Sequence, residues 1–300
     1  MNRRQFISVV TAAGLLAACD QLRGKKKIGL ALGGGGAKGI AHIPMLEVFD
    51  QYGIVPHRLA GTSIGAVIGS LYASGMSGAD VRKVLDALTK SKDEDWLYSL
   101  RNEEVSRWFE FLDLRLGRGG LINPDKIGAF LGKRLKVSSF EKLKIPLQVV
   151  AADLWSRKQV VFESGDLVTA VTASMAIPGL FEPVKYQGKV LVDGSVVNPL
   201  PYDLLFDDCD VVVAIDVLGE RTPDSKSSPG YFETSFNTLQ IMENAIVTEK
   251  MKHKPPDIYI KPKLRDIRVL DFYKVDKIFH QAESSRRELA EKLKPYRVKT

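Results

Sequence analysis

Short apolar runs alternate with segments of helical periodicity along most of the chain. Runs such as "KKIGLAL", "PLQVVAAD" and "DVVVAID" are rich in aliphatic residues and predict buried strands. Between such runs, apolar residues recur every three or four positions, as in "AKGIAHIPMLEVFDQYG" and "IGAVIGSLYASG", which predicts helices. Strands that alternate with helices form mostly parallel sheets with helices on both faces. We therefore expect an α/β protein with three α/β/α layers around a central, mostly parallel sheet.

Two stretches depart from this alternation. Residues 91–143 show helical periodicity without a clear strand, which predicts a helical insertion. Downstream of "DVVVAID", a polar loop at 221–230 precedes an amphipathic, charge-rich helix predicted over 271–296. We expect the C-terminal extension over residues 218–300 to pack on the same domain as the preceding part of the chain.

The first residues have the order of an export signal. Arg3 and Arg4 precede an apolar run over residues 6–18, which is too short to span a bilayer securely. "RRQFI" resembles a twin-arginine signal and "LAAC" a bacterial lipobox, which implies that residues 1–18 are a signal peptide and that Cys19 is lipidated. A plain signal peptide with a chance cysteine is the alternative. Asp20 resembles an inner-membrane retention signal, so we expect a lipid-anchored protein on the extracytoplasmic face of the cell membrane, facing the periplasm in a Gram-negative cell.

The charge balance favours a membrane surface over a nucleic acid. Lys and Arg number 43 against 36 Asp and Glu, a formal net charge of +7. A mild basic excess suits an anionic bilayer, whereas no stripe of basic residues with interleaved aromatics predicts nucleic-acid binding. The two cysteines are Cys19 and Cys209, and lipidation of Cys19 leaves Cys209 without a disulfide partner.

The stretch "GGGGAKG", residues 33–39, follows a predicted strand and precedes a predicted helix. Its glycines offer backbone N–H groups at a helix N-terminus, which suit either a phosphate or an oxyanion. A dinucleotide site needs an acidic residue about twenty positions further on, and "PHRLAGTSIG" has none there. The loop also lacks the Gly-Lys-Ser/Thr ending of a phosphate-binding P-loop. Neither of these two nucleotide sites is therefore favoured, and the loop by itself does not decide what its amides bind.

"GTSIG", from Gly61 to Gly65, has the Gly-x-Ser-x-Gly pattern of a nucleophile elbow. A predicted strand precedes it and a predicted helix follows, as the elbow requires, so Ser63 is the candidate nucleophile. The four histidines are either upstream of Ser63 or in segments that read as solvated (His42, His57, His253 and His280). A Ser-His-Asp triad is therefore not favoured.

A carboxylate can replace the histidine as base. Asp193 ends the short apolar strand in "VLVDGS", and Gly194 beside it allows a close approach. Burial disfavours the charge of an aspartate and so raises its basicity toward a serine hydroxyl. Asp-Gly on its own is also a common turn sequence, and this alternative stays open at this point.

Together these segments resemble the patatin-like phospholipase family, and the resemblance implies a domain of that family over residues 26–217. "GGGGAKG" matches the family's glycine-rich loop at Gly34, Gly35, Gly36, Lys38 and Gly39, and "GTSIG" matches its nucleophile elbow. "ASMAIPGLFEPV", residues 173–184, matches a further family segment. "DGS" matches the family's Asp-Gly-Gly/Ala motif, except that Ser195 stands where the family has Gly or Ala.

The resemblance implies a serine lipid acyl hydrolase that acts on fatty acyl esters of phospholipids or lysophospholipids. Ser63 would be the nucleophile, Asp193 the base, and the N–H groups of Gly35 and Gly36 the oxyanion hole. A membrane lipid would be the substrate, with no metal ion or organic cofactor. Lys38 would either steer a lipid phosphate or be a solvated residue in the first helical turn.

Two other functions use the same residues. A catalytically silent membrane lipoprotein would use the fold as a binding module, and an acyltransferase would pass the acyl group to an acceptor other than water. Residues 95–122 carry Trp96, Trp108 and several arginines, and they suggest a lid, an interfacial face for lipid, or ordinary core. The sequence predicts no oligomeric state.

Overall fold

A computed structural model describes residues 26–90, 125–135, 137–220 and 230–298. The predicted signal peptide, Cys19 and the segment 95–122 lie outside the described residues. None of the helices in the described ranges is long and apolar enough to cross a membrane.

The described residues form eight strands and seven α-helices. The strands are Ile28–Leu32 (β1), Arg58–Thr62 (β2), Leu147–Asp153 (β3), Lys158–Phe162 (β4), Val184–Tyr186 (β5), Lys189–Asp193 (β6), Val211–Ile215 (β7) and Ile258–Ile260 (β8). The helices are His42–Gln51 (α1), Ile64–Ala73 (α2), Gly78–Lys90 (α3), Asp125–Arg134 (α4), Leu167–Ser174 (α5), Tyr231–His253 (α6) and Val275–Leu293 (α7). Short 3₁₀ helices cover Gly36–Ala41, Phe140–Lys142, Gly194–Val196, Tyr202–Leu205 and Lys294–Tyr296.

The strands form one mixed sheet in the order β5-β6-β3-β2-β1-β7-β8, with β4 paired to β3. The strands β1, β2, β3, β7 and β8 are parallel, and the antiparallel pairings all lie at the β3 end of the sheet. The prediction of an α/β fold around a mostly parallel sheet is confirmed.

Alternate residues of the central strands pack against different layers, because successive side chains of a strand point to opposite faces. Leu30 and Leu32 of β1 belong to the main core, which also contains residues of α1, α2 and α7. Ala31 belongs to a smaller core on the other face. This core also contains Tyr202, from a 3₁₀ helix, and Val247, from α6. Helical segments therefore cover both faces, as expected for three layers.

The register of β3 brings two distant strand ends together. The partner β4 occupies one edge of β3 over Val149–Asp153. On the other edge, β2 pairs with β3 up to Val150, and β6 pairs antiparallel from Ala151 onward. The carboxyl ends of β2 and β6 therefore meet head to head, and this junction places the residues that end the two strands side by side.

The C-terminal part of the chain adds to both the sheet and the helical layers. Strand β8 pairs in parallel with β7, and α7, within the predicted helix over 271–296, packs against α1. The sequence analysis did not predict α6. The described part of the predicted insertion contains α4 and the 3₁₀ helix Phe140–Lys142.

Candidate active site

Ser63 lies in the sharp turn between β2 and α2, as the elbow pattern predicts. Its backbone has φ 55° and ψ −126°, a left-handed conformation that is strained for a residue with a side chain. A Cβ atom at Gly65 would lie 2.1 Å from the carbonyl oxygen of Leu32, so only glycine lets α2 begin this close to β1. The turn therefore stores strain in order to present the Ser63 hydroxyl.

Ser174 holds this elbow in place. The backbone N–H of Ser63 donates to Ser174 Oγ at 2.8 Å, and Ser174 Oγ donates in turn to the carbonyl of Val150 at 2.6 Å. The serine belongs to the matched segment 173–184, to which the sequence analysis gave no role. It connects the strained turn to the centre of the sheet.

Asp193 meets Ser63 at the junction of β2 and β6. Ser63 Oγ donates a hydrogen bond of 2.6 Å to Asp193 Oδ2, and the N–H of Ser195 donates to Asp193 Oδ1 at 2.8 Å. Both members of the pair are almost fully buried. Burial raises the pKa of Asp193 to about 6, although the hydrogen bonds from Ser63 and Ser195 oppose the shift. A carboxylate of this basicity accepts a serine proton more readily than a solvated aspartate does.

Backbone hydrogen bonds fix the glycine loop on both sides of its centre. The amides of Gly33, Gly34 and Ala37 donate to the carbonyls of Ile215, Pro199 and Val269, respectively, at 2.8–3.1 Å. Gly35 and Gly36 donate none of these anchoring bonds, and both line the cleft that contains Ser63 and Asp193. At Gly36, φ is +59° and a Cβ atom would lie 2.4 Å from the carbonyl oxygen of Val269, so the loop requires glycine there. Gly35 and Gly36 therefore lie in the same cleft as Ser63, between anchored residues on either side.

The remaining motif glycines lie against neighbouring atoms. A Cβ atom added at any of these four glycines would lie only 2.2–2.7 Å from a neighbouring atom. That neighbour is Ser195 Oγ for Gly34, the Ile64 side chain for Gly39, the Gly65 carbonyl oxygen for Gly61 and the Val150 carbonyl oxygen for Gly194. The Ser195 hydroxyl that departs from the family pattern therefore occupies the space between the glycine loop and Asp193.

Lys38 is buried, with 1% of its surface exposed, so its interpretation as a solvated residue in the first helical turn is wrong. Its side chain packs beside Gly219. Its positive charge lowers the pKa of Glu243, a residue of α6 that lines the cleft. The charge of this lysine therefore acts on a residue of the cleft wall.

Histidine takes no part in the dyad. His42 is fully buried, its Nε2–H donates to the carbonyl of Gly33 at 2.8 Å, and burial lowers its pKa to about 4. It is therefore a neutral support for the glycine loop. The other histidines are exposed and do not line the cleft (His57, His253 and His280).

Helix α6 forms one wall of the cleft. Phe236, Leu239, Gln240 and Glu243 line it, opposite the dyad and the glycine loop. Burial, together with the nearby carboxylates of Asp193 and Asp216, raises the pKa of Glu243 to about 8 against the opposing charge of Lys38, so its protonated form predominates at neutral pH. The sequence carries a weak signal for this wall, because residues 236, 239, 240, 243 and 247 recur at helical spacing.

Within the described residues, no group of three or more His, Cys, Asp or Glu side chains is placed to hold a metal ion.

Comparison with known proteins agrees with this geometry. Residues 30–206, more than half of the chain, match the family model for the patatin-like phospholipases. The chain belongs to the patatin-like phospholipase family. The match covers the glycine loop, the elbow and Asp193, and it ends before α6.

Individual relatives differ widely in size. An uncharacterized NTE family protein of Mycobacterium tuberculosis is 31% identical over 215 residues, which cover 71% of this chain and 55% of the relative. Lysophospholipase NTE1 of Saccharomyces cerevisiae is 26% identical over 276 residues, covering 84% of this chain and 16% of the relative. The chain thus spans about half the length of the mycobacterial relative and a smaller part of the fungal one. Among solved structures, VipD from Legionella pneumophila superposes with a TM-score of 0.49 at 13% identity, over 89% of this chain and 67% of that chain.

Proposed function

We propose that this protein is a serine lipid acyl hydrolase that cleaves fatty acyl esters of lysophospholipids or phospholipids through a Ser63–Asp193 dyad. The hydrogen bond of 2.6 Å between Ser63 Oγ and Asp193 Oδ2, in a cleft lined by Gly35 and Gly36, carries the proposal. Membership of a phospholipase family supports the lipid substrate, as does the word lysophospholipase in the name of the fungal relative.

The reaction follows from the positions of these groups. Asp193 takes the proton of Ser63 Oγ as that oxygen attacks the ester carbonyl carbon, and the carbonyl oxygen becomes an oxyanion beside the amides of Gly35 and Gly36. The tetrahedral intermediate then collapses, and Asp193 returns the proton to the departing alcohol. Asp193 next activates a water molecule, which releases the fatty acid and restores Ser63. The N-terminus of α2 at Ser63 adds a favourable dipole to the negative charge that forms.

We further propose that lipidated Cys19 anchors the mature protein to the membrane. The lipobox-like sequence before Cys19 supports this part of the proposal, because acyl chains on one residue give stable anchoring. Mass spectrometry of the membrane-extracted protein tests it: diacylglyceryl modification at Cys19 is expected, and an unmodified N-terminal segment would contradict it.

Covalent labelling with a lipid-like fluorophosphonate tests the dyad. The wild type should be labelled at Ser63, Ser63→Ala should not be labelled, and Asp193→Asn should react far more slowly. Ser70→Ala is a matched control, since Ser70 is also a buried serine that donates to a carbonyl, within α2. Equal labelling of all variants would contradict the assignment. Release of free fatty acid, rather than its transfer to an added alcohol, then distinguishes hydrolysis from acyl transfer.

A further inference from the structure

Two hairpins extend beyond the carboxyl ends of the parallel strands, which is the end of the sheet where Ser63 and Asp193 lie. Ser63 is level with Ala151 of β3, because Thr62 pairs with Val150. Strand β3 then continues to Asp153, about 7 Å beyond the level of Ser63 at roughly 3.3 Å per residue, and Trp155 lies in the turn that follows. The turn of the β3–β4 hairpin is joined to the β5–β6 hairpin by a hydrogen bond of 2.8 Å from the N–H of Leu154 to the carbonyl of Val190.

This double hairpin presents apolar side chains to solvent. Trp155 is 76% exposed and Leu154 is 41% exposed. The turn that carries them is well fixed, since the Asp153 carboxylate accepts hydrogen bonds from Ser156 Oγ at 2.7 Å and from the Trp155 N–H at 3.3 Å. The tryptophan is therefore held outward by a preformed turn.

The two hairpins that carry the exposed tryptophan also carry basic residues. Both hairpin tips contribute exposed bases, namely Arg157, Lys158, Lys185 and Lys189. Over residues 153–158 and 185–189 the acid is Asp153, which is buried inside the turn. Tryptophan is enriched in protein surfaces that lie at the headgroup level of a bilayer. Each lysine or arginine near an anionic bilayer adds about 1 kcal/mol of attraction.

We propose that these residues form an interfacial patch that docks the catalytic edge of the protein on an anionic lipid bilayer. The patch consists of Leu154, Trp155, Arg157, Lys158, Lys185 and Lys189. The inference rests on the proposed function, because a hydrolase of membrane lipids must receive its substrate from a lipid surface. Insertion of Trp155 at the headgroups brings the cleft to that surface while the four bases contact lipid phosphates.

Other exposed apolar side chains lack one of these properties. Val55 is 71% exposed, but it precedes β2 and so lies near the amino ends of the parallel strands, at the opposite end of the sheet. Ile241 and Met242 of α6 are exposed near the cleft, yet residues 238–245 contain no Lys or Arg. The charge complementarity to an anionic bilayer therefore favours the double hairpin.

Vesicle sedimentation of the inactive Ser63→Ala chain tests the patch apart from catalysis. Cys19→Ser is included throughout so that an acyl anchor does not mask weaker binding. We expect tighter binding to vesicles of phosphatidylcholine with phosphatidylglycerol than to phosphatidylcholine alone, and a loss of this preference as salt rises. Trp155→Ala should lower the partition constant about tenfold, and Lys185→Glu with Lys189→Glu should remove the preference for anionic lipid. Val55→Ser is the matched control and should change nothing.

Some outcomes would overturn the proposal. Vesicle binding that is unchanged in the Trp155 and lysine variants would show that the hairpins do not dock on the bilayer. Loss of binding in Ile241→Ser with Met242→Ser, but not in Trp155→Ala, would place the lipid surface on α6 instead. Failure of the proposed function is separate: it would show as absent turnover of a soluble short-chain ester by the wild-type chain. Patch variants should hydrolyse that soluble ester at the wild-type rate and lose activity on vesicles alone.

Discussion

The cleft has two contrasting sides, which we call the floor and the roof. On the floor, hydrogen bonds to the backbone and between buried side chains fix the positions of the candidate reactive groups. The floor comprises the glycine loop, the elbow at Ser63 and Asp193 at the end of β6. On the other side, the roof, α6 contributes side chains from a single helix. This difference indicates that the floor supplies the chemistry, whereas the roof sets the shape and the charge of the space above it. Changes to the floor should therefore cost far more activity than changes to the roof.

The largest effects are expected at the dyad. Ser63→Ala and Asp193→Asn should each lower kcat/KM on the order of 10⁴-fold or more, because the nucleophile or its base is lost. Steady-state hydrolysis of a soluble ester measures this loss. An Asp193→Asn enzyme that keeps most of its activity would show that another group takes the proton from Ser63.

Asp193→Asn should also change stability in a pH-dependent way. Because its pKa rises from 3.8 to about 6 on folding, ionised Asp193 opposes the folded state. That cost is absent below the unfolded pKa and complete above about pH 6, where two pKa units correspond to about 3 kcal/mol. The variant should therefore melt at a higher temperature than the wild type at pH 8, with the difference shrinking toward pH 4. A difference in melting temperature that does not vary with pH would contradict the buried, raised aspartate.

The next largest effect is expected in the glycine loop. Gly36→Ala places a Cβ atom 2.4 Å from the Val269 carbonyl and displaces an oxyanion donor. Loss of one such donor costs about 10²- to 10³-fold in kcat. Gly165→Ala is the matched control, since Gly165 also has positive φ, at +80°, but has open space around it. Equal kcat in the two variants would remove Gly36 from the oxyanion hole.

A smaller effect is expected at Ser174, which acts on the nucleophile through the elbow. Ser174→Ala removes the acceptor for the Ser63 N–H and should lower kcat about tenfold with little change in KM, a cost of roughly one hydrogen bond. Ser70→Ala should leave kcat unchanged. A rise in KM with unchanged kcat would instead mean that Ser174 shapes the substrate site.

The smallest effect is expected at the roof. With a pKa of about 8, Glu243 becomes charged in mildly alkaline solution and then faces the carboxylates of Asp193 and Asp216 and the ammonium of Lys38. Its negative charge disfavours the oxyanion, so kcat/KM of the wild type should rise through about pH 6, as Asp193 ionises, and fall severalfold above about pH 8. Glu243→Gln should remove the alkaline decrease, whereas Glu249→Gln, at an exposed position of the same helix, should keep it. An alkaline decrease that persists in Glu243→Gln would contradict this role.

The sequence predicts the floor much better than the roof. The elbow and the glycine loop are local features whose chemistry follows from a few consecutive residues, and their strands and helices form where the patterns predict. The contact between Ser63 and Asp193 depends on β6 pairing antiparallel to β3, which the alternation of strands and helices does not reveal. The burial of Lys38 and the support from Ser174 likewise depend on residues far away along the chain. The pattern of apolar residues does not predict α6, because the side of this helix that lines the cleft combines Phe236 and Leu239 with Gln240 and Glu243, which weakens the apolar periodicity.

One hydrogen bond connects the glycine loop to the C-terminal region of the chain. Ala37, beside the oxyanion glycines, is anchored to the carbonyl of Val269, more than two hundred residues later. A chain that ended at residue 206, where the family match ends, would contain Ser63 and Asp193 but would lack this anchor and α6. During synthesis, the nucleophile is made early and gains its complete surroundings only when the last part of the chain folds. The geometry around Ser63 therefore depends on the part of the chain that is synthesised last.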